Sequence, residues 1–356
     1  MKAEYLIVGQ GLAGSVIAWT LDQRGHRVLI LNDSSLPSAS KASAGIFNPL
    51  TGKKLNRTWK ADELFPFARQ FYGDLQQKLG GELLHFCDIY RPFRSIEEQN
   101  AYLSQTAAPS LAKYVREEAE DEKYRDFIEN PYGGLQITQS GWVDCVKVLE
   151  KIKEYFIEKG QYIEGHVNYE SIDLETEKAK YENVEVEKII FCEGYEARQN
   201  PFFKWLPFNP VKGQNLIALI EGYPIAEIIN QGTFVLPLDG KGKCRIGATY
   251  TWHDIDWQTT QDAKEFLEEK VKTYLKPTYQ ILEQQVGIRP STKDRRPLVG
   301  LHPEYPQLAI FNGLGTKGVT LAPYFAEQFA KFLESVEELD PEVNIERVFS
   351  LYFRSE

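Results

Sequence analysis

The sequence predicts an α/β fold in which a parallel, nucleotide-binding sheet is interleaved with a second, mainly antiparallel sheet. Three stretches carry this expectation. The chain opens with an apolar run, a GxGxxG turn and a helical pattern over residues 5–24. Residues 210–251 change to short strands separated by turn residues, and residues 308–333 return to a strand, a glycine turn and a helix. Because the first and last segments share a pattern that the middle lacks, the two units should be interleaved rather than tandem.

Tyr5, Leu6, Ile7 and Val8 form a short, partly β-branched run suited to a buried parallel strand. Gly9, Gln10, Gly11, Leu12, Ala13 and Gly14 follow, and Val16, Ile17 and Leu21 recur at helical spacing. The three glycines serve different ends. The first makes the tight turn, the second lets backbone approach a pyrophosphate, and the third lets helix and strand pack closely. A helix beginning near Gly11 would offer free N–H groups to that anion. Such a pattern can also be a plain glycine turn. Here a second strand, residues 28–31, follows the turn at Gly25 and His26 and ends at Asn32 and Asp33. That is roughly 20 residues past the glycines, where a dinucleotide fold places the group that binds the adenosine ribose. An acid is expected there. Asn32 offers an amide that can still hydrogen-bond a hydroxyl, with Asp33 beside it.

With 356 residues the chain has the length of about two domains. Apolar residues at 42% and charged residues at 26% describe an ordinary globular protein. No apolar run approaches the ~20 residues of a membrane-spanning helix. The first strand starts so early that a leader has no room, which makes the cytoplasm the expected location. Cys87, Cys145, Cys192 and Cys244 lack metal-ligand or disulfide spacing, and the five histidines form no HExxH pattern; no metal site is expected. A net charge of −10 argues against a nucleic-acid partner.

After the second strand, residues 38–49 are small and hydroxylated, from Ser38, Ala39 and Ser40 through Ala42, Ser43, Ala44, Gly45 and Ile46. Small residues let backbone come close to a ligand. A nicotinamide-type unit would pass quickly to its next βα element, whereas this long loop suits a cofactor with an extended middle, which points to FAD. Residues 62–79 read as a helix with Asp62 at its N-cap, and residues 83–93 as a strand. Residues 96–129 read as mostly helical, with a solvated charge run from Arg116 through Glu117 and Glu118 to Lys123. Residues 132–138 read as a strand, and residues 140–144 as the entry to a helix. Strands are expected at 161–164 and 184–192, with a polar antiparallel excursion over 169–182 between them. Strands at 215–220, 232–238 and 244–249, a helix at 261–275 and a strand at 281–289 would build the second unit. The strand at 308–311, the glycines around Leu314 and a helix at 319–333 close the first.

Six segments in order resemble the D-amino acid oxidase family of FAD enzymes, which includes glycine oxidase and monomeric sarcosine oxidase. They are the glycine turn at 9–14, the small-residue loop at 38–49, the PVxGQ-like turn at 210–214, the strand ending in Gly247, Ala248 and Thr249, the GIRPSTKD run at 287–294, and the GLGTKGVTLAP run at 313–323. The resemblance implies a Rossmann-like FAD-binding domain of the glutathione-reductase type (residues 1–82, 133–208 and 284–356). An interleaved, mainly antiparallel substrate domain would take residues 83–132 and 209–283. It further implies that Gly9, Gly11, Leu12, Ala13 and Gly14 hold the pyrophosphate, and that Asn32 and Asp33 hold the ribose. Ala39, Ser40, Ala44, Gly45 and Ile46 would hold the middle of FAD, with Val167, Cys192 and Gly194 at the adenine end. Gly313, Leu314, Gly315, Thr316, Lys317, Gly318, Val319 and Thr320 would line the isoalloxazine, where a helix N-terminus stabilises charge on the reduced ring.

The implied activity is oxidation of the C–N bond of a small amine or amino acid, with hydride passing to flavin N5 and water hydrolysing the imine. Arg289 matches an arginine that pairs with the substrate carboxylate, although an arginine there can also serve backbone carbonyls. Lys317 would face either substrate or solvent. Phe234 stands where the family has a tyrosine, and Tyr250 and Trp252 would wall the pocket instead. Gly287 replaces the cysteine that links flavin covalently in sarcosine oxidase, so FAD would be non-covalent. Two other readings are a flavin domain that oxidises a carboxymethylamine on tRNA wobble uridine and a non-catalytic flavin carrier subunit.

Overall fold

The computed structural model describes residues 3–52, 54–116 and 119–354; Glu117 and Glu118 of the charge run lie outside them. The opening strand, Tyr5–Val8, is central to a six-stranded sheet and buried on both faces. Val28–Asn32 and Lys188–Phe191 flank it in parallel, with Tyr162–Glu164 beyond the one and Leu308–Asn312 beyond the other. Leu298–Leu301, a strand without a sequence signal strong enough to predict it, closes the edge antiparallel. Helices Leu12–Gln23 and Gly318–Leu333 pack against the sheet and each other, joined by Ala61–Leu79 and Cys145–Glu158. Ile7, Val16, Ile17, Phe325 and Phe329 are fully buried there, and each such side chain contributes about 1.5–3 kcal/mol. The opposite face is covered by the antiparallel excursion of Ile172–Asp173, Ala179–Tyr181 and Val184–Val186, and by aromatic residues that include Phe203.

A second sheet has seven strands in the order Gln280–Arg289, Val211–Leu219, Lys243–Gly247, Phe234–Pro237, Ile228–Asn230, Ile89–Pro92 and Gly134–Ile137. Its pairs are antiparallel except that between Ile228–Asn230 and Ile89–Pro92. One face packs on helix Gln261–Lys272 through Leu216, Val235, Ile246, Leu267 and Val271. The other packs Ile89, Leu236 and Phe234 with Leu50, Tyr102, Leu111 and Trp142. Residues 134–137 and 284–289 belong to this sheet, although the sequence grouped them with the nucleotide-binding segments. No helix among the described residues is long and apolar enough to cross a membrane.

Several local expectations are corrected. The helix expected from Asp62 begins at Ala61, after Lys60 in left-handed backbone (φ 49°), and Asp62 is no cap: it sits in the first turn and accepts from Lys113 and Tyr114. Residues 83–93 are two strands in different sheets, because Leu84–Phe86 pairs with Gly141–Val143 while Ile89–Pro92 joins the large sheet. Residues 141–143 are thus strand rather than helix entry, and Asp144 caps the helix by accepting from the Lys147 N–H at 3.1 Å. Among the described residues of 96–129 there is one full helix, Ile96–Thr106, and two single turns.

Gly14 shows why the glycine turn tolerates no side chain. A Cβ there would lie 1.8 Å from the Gly9 carbonyl oxygen and 3.2 Å from the Cys192 side chain. Gly14→Val is therefore expected to destabilise the apoprotein by about 2 kcal/mol or more, read as a lower denaturant midpoint; an unchanged midpoint would mean the helix can move away from the sheet.

Candidate active site

A cavity of about 930 Å³ runs along the carboxyl ends of the parallel strands and continues under the seven-stranded sheet. That is where open α/β sheets bind their ligands. Its first end is made by the glycine turn. Gly9 has φ +93°, and a Cβ there would meet the Cys192 carbonyl oxygen at 2.7 Å. At Gly11 a Cβ would meet nothing nearer than the Ser40 hydroxyl at 3.4 Å, so backbone lies open to the cavity. Leu12 and Ala13 line it at the helix N-terminus, and the Leu12 N–H donates to Ser40 Oγ at 3.0 Å. Val167, Cys192 and Gly194 face it from neighbouring strand ends.

Asn32 and Asp33 also reach this end. Asn32 Oδ1 accepts the Gln10 N–H at 2.8 Å, and its amide nitrogen donates to Tyr162 Oη at 3.1 Å. The amide thus ties the second strand to the glycine turn. Asp33 accepts the Ser35 hydroxyl and N–H, which hold its carboxyl below the usual range. Glu193, between Cys192 and Gly194, lines the same end and accepts from Tyr169 Oη at 2.5 Å and the Asn200 amide at 2.7 Å. Burial pushes its carboxyl up to about 7.

The middle is the small-residue loop, with Ala39, Ser40, Ala44, Gly45 and Ile46 on the cavity wall. Gly45 (φ +65°) approaches Val143 so closely that a Cβ would lie 1.9 Å from its carbonyl oxygen. From behind, the second sheet grips the loop: the Asn215 amide donates to the Ala42 carbonyl at 2.9 Å, and the Arg245 guanidinium donates to the Ser43 carbonyl. Asn215 Oδ1 is buried without a partner, a side chain with no sequence signal beyond its neighbouring PVxGQ-like turn.

At the far end Leu314, Gly315, Thr316, Lys317, Gly318, Val319 and Thr320 surround the start of helix Gly318–Leu333. Lys317 turns inward, toward the cavity rather than solvent. Its Nζ donates to Thr58 Oγ1 at 2.9 Å. Arg289 lies opposite, its guanidinium over Gly213, where a Cβ would sit 2.2 Å from Nη1. It stacks 4.4 Å above the Tyr250 ring, and Nη1 donates to the Thr249 carbonyl at 3.3 Å. Burial lowers the pKa of Arg289, and that of Lys317 to about 8. Among the described residues neither cation has a carboxylate within 4 Å.

Three expected site residues fall elsewhere. Gly14 and Gly313 do not line the cavity. The first is a packing contact, and the second a turn (φ +74°) whose Cβ would lie 2.9 Å from the Leu298 nitrogen. Trp252 is 55% exposed and does not line the cavity, whereas Trp257, edge-on to Tyr195, does.

The site defines a flavin-dependent oxidoreductase. The chain belongs to the DAO family of FAD dependent oxidoreductases, whose model matches residues 4–332. It is 24% identical over 359 residues to glycine oxidase of Bacillus subtilis, covering 91% of each chain. It is 22% identical to the bifunctional tRNA 5-methylaminomethyl-2-thiouridine biosynthesis protein of Marinobacter nauticus, covering 91% of this chain and 54% of that one; the chain spans about half the length of such relatives. The crystal structure of glycine oxidase from Geobacillus kaustophilus superposes with a TM-score of 0.80 at 20% identity, covering 96% of this chain and 97% of the other.

The residues present fit FAD. Backbone is bare of side chains at Gly9 and Gly11, a helix N-terminus stands at each end of the cavity, and small residues line the stretch between. Lys317 also makes a pH-dependent test possible. Its folded pKa of about 8 lies below the ordinary lysine value of 10.5, so between these values the unfolded chain holds more protons and stability rises with pH. Below pH 8 the buried cation costs about 3 kcal/mol. Lys317→Met apoprotein is expected to exceed wild type in unfolding free energy at pH 7, with the gap shrinking toward pH 10.5. A gap that ignores pH would mean Lys317 is solvated.

Proposed function

We propose that the chain oxidises the C–N bond of a small amine or amino acid bearing a carboxylate. In this reading the six-stranded sheet is a Rossmann-like, glutathione-reductase-type unit that holds FAD non-covalently, and the seven-stranded sheet covers the substrate. FAD, when bound, would supply the two-electron oxidation by accepting hydride from the amine's α-carbon, and water would then hydrolyse the imine. The chain's own residues bind and orient. The observation that carries this reading is Arg289: a half-buried guanidinium fork with one backbone partner and no acid, facing the cavity. Such a fork suits bidentate capture of a carboxylate. Tyr250 holds it by stacking on it, and Gly213 leaves room beneath it. Lys317 and the N-terminus of helix Gly318–Leu333 add positive potential where the reduced flavin gathers negative charge. No His or carboxylate pair is required, since the amine reacts in its neutral form.

The tRNA-modifying relatives favour a second reading, in which the same oxidation acts on a carboxymethylamine of wobble uridine. Both readings place a carboxylate on Arg289.

The reconstituted protein should show a flavin spectrum that bleaches anaerobically with glycine, sarcosine, proline or a D-amino acid. Bleaching by modified tRNA alone would favour the second reading, and no bleaching by any of them would sink both. In Arg289→Leu, FAD should stay bound while the half-saturating amino acid concentration rises about tenfold or more. An unchanged value would remove Arg289 from the site.

A further inference from the structure

The acidic side chains that line the cavity, Asp33, Glu150, Glu193 and Glu196, all belong to its nucleotide end. Under the seven-stranded sheet the lining turns to the opposite sign: Arg91, Arg94, Arg289 and Lys317 face the cavity with no acidic lining residue between them. In a chain of net charge −10 this is a local concentration of uncompensated cations. Arg289 accounts for one carboxylate, and Lys317 lies beside the helix start. Arg91 is not accounted for.

Arg91 stands on Ile89–Pro92, two residues from Ile89 and therefore on the same face, the one that looks into the cavity. Nη1 donates to the Gly52 carbonyl at 2.9 Å and Nη2 to Tyr102 Oη at 2.6 Å, and the guanidinium lies 4.7 Å from the Tyr102 ring centroid. These contacts fix its orientation and use two of its five donors. Among the described residues no carboxylate comes within 4 Å of it; Glu98 is the nearest acid to act on it, and that side chain accepts from the Arg94 backbone N–H at 2.7 Å. Between Arg91 and Arg289 the sheet face carries Asn230, Phe234, Gly247 and Gly213. Two glycines leave this floor open along its length.

We infer that the substrate is a dicarboxylic amine: Arg289 takes the α-carboxylate, and the oriented guanidinium of Arg91 takes a second carboxylate at the far end of the same molecule. This rests on the amine-oxidation reading above and deepens it. Four strand spacings of about 4.8 Å separate the strand beneath the Arg289 guanidinium from that of Arg91, and an ion-pair contact of about 4 Å at each end leaves on the order of 10 Å between the two carboxylates. The two carboxylates are therefore joined by a chain of several bonds.

Anaerobic titration calorimetry on the FAD-reconstituted protein tests this with N-(5-carboxypentyl)glycine and its uncharged counterpart N-hexylglycine. The dicarboxylate is expected to bind about tenfold or more tighter. That preference should collapse in Arg91→Gln and survive in large part in Arg91→Lys, which also controls for folding. Equal binding of the two ligands, binding of neither, or a preference that persists in Arg91→Gln would overturn the inference. Flavin bleaching in the same samples is a separate readout. Preferential binding without bleaching by any amine would sink the oxidation reading and leave the anion subsite standing. Bleaching with equal binding would do the reverse.

Discussion

The arrangement depends on one close approach: the loop of residues 38–47 lies between the seven-stranded sheet and the strand Gly141–Val143 and touches both through backbone. Gly45 meets the Val143 carbonyl, Gly287 stands 3.3 Å from Ala39 and Ala42 by its notional Cβ, and Asn215 and Arg245 hold the Ala42 and Ser43 carbonyls. Even a methyl group at Gly45 would clash with Val143, and a larger side chain at Gly287 would push the loop off the sheet. Small residues here are thus a packing requirement as much as a ligand requirement, and the cavity exists because the loop is thin enough to leave one.

The two ends of that cavity differ in electrostatic character. At the nucleotide end, acids are satisfied by neighbours: Asp33 by Ser35, and Glu193 by Tyr169 and Asn200. At the sheet end, cations keep donors free. Lys317 rests on a hydroxyl, Arg289 on one carbonyl and a ring, and Arg91 on a carbonyl and a phenol. Burying charge without a partner is costly. Such a cost is sustained where a ligand of opposite charge, substrate or reduced cofactor, completes the site.

Much of the site was legible in the sequence where local backbone chemistry makes it so. A strand, a GxGxxG turn and a helix announce themselves through spacing and glycine, and the second glycine turn before Gly318–Leu333 does the same. The central strands were found because they are buried on both faces and therefore continuously apolar. Expectations slipped where pairing partners decide: residues 83–93 carry one apolar pattern yet serve two sheets, and Gly141–Val143 is a strand only because Ile46–Phe47 and Leu84–Phe86 lie on either side of it. Asp62 looked like a cap, but its partners Lys113 and Tyr114 come from some 50 residues away.

By itself, then, the sequence determined the strand, glycine turn and helix that open the chain, the second glycine turn before Gly318–Leu333, and the small-residue loop between them. Each rests on residues adjacent in the chain, where spacing alone fixes geometry. Only the tertiary structure decided that Asn32 braces the glycine turn, that Gly14 and Gly313 pack rather than line, that Lys317 turns inward, and that Arg91 shares a cavity with Arg289. Those are relations between strands far apart in sequence. Which face a strand presents, and to what, is set by its neighbours in the sheet.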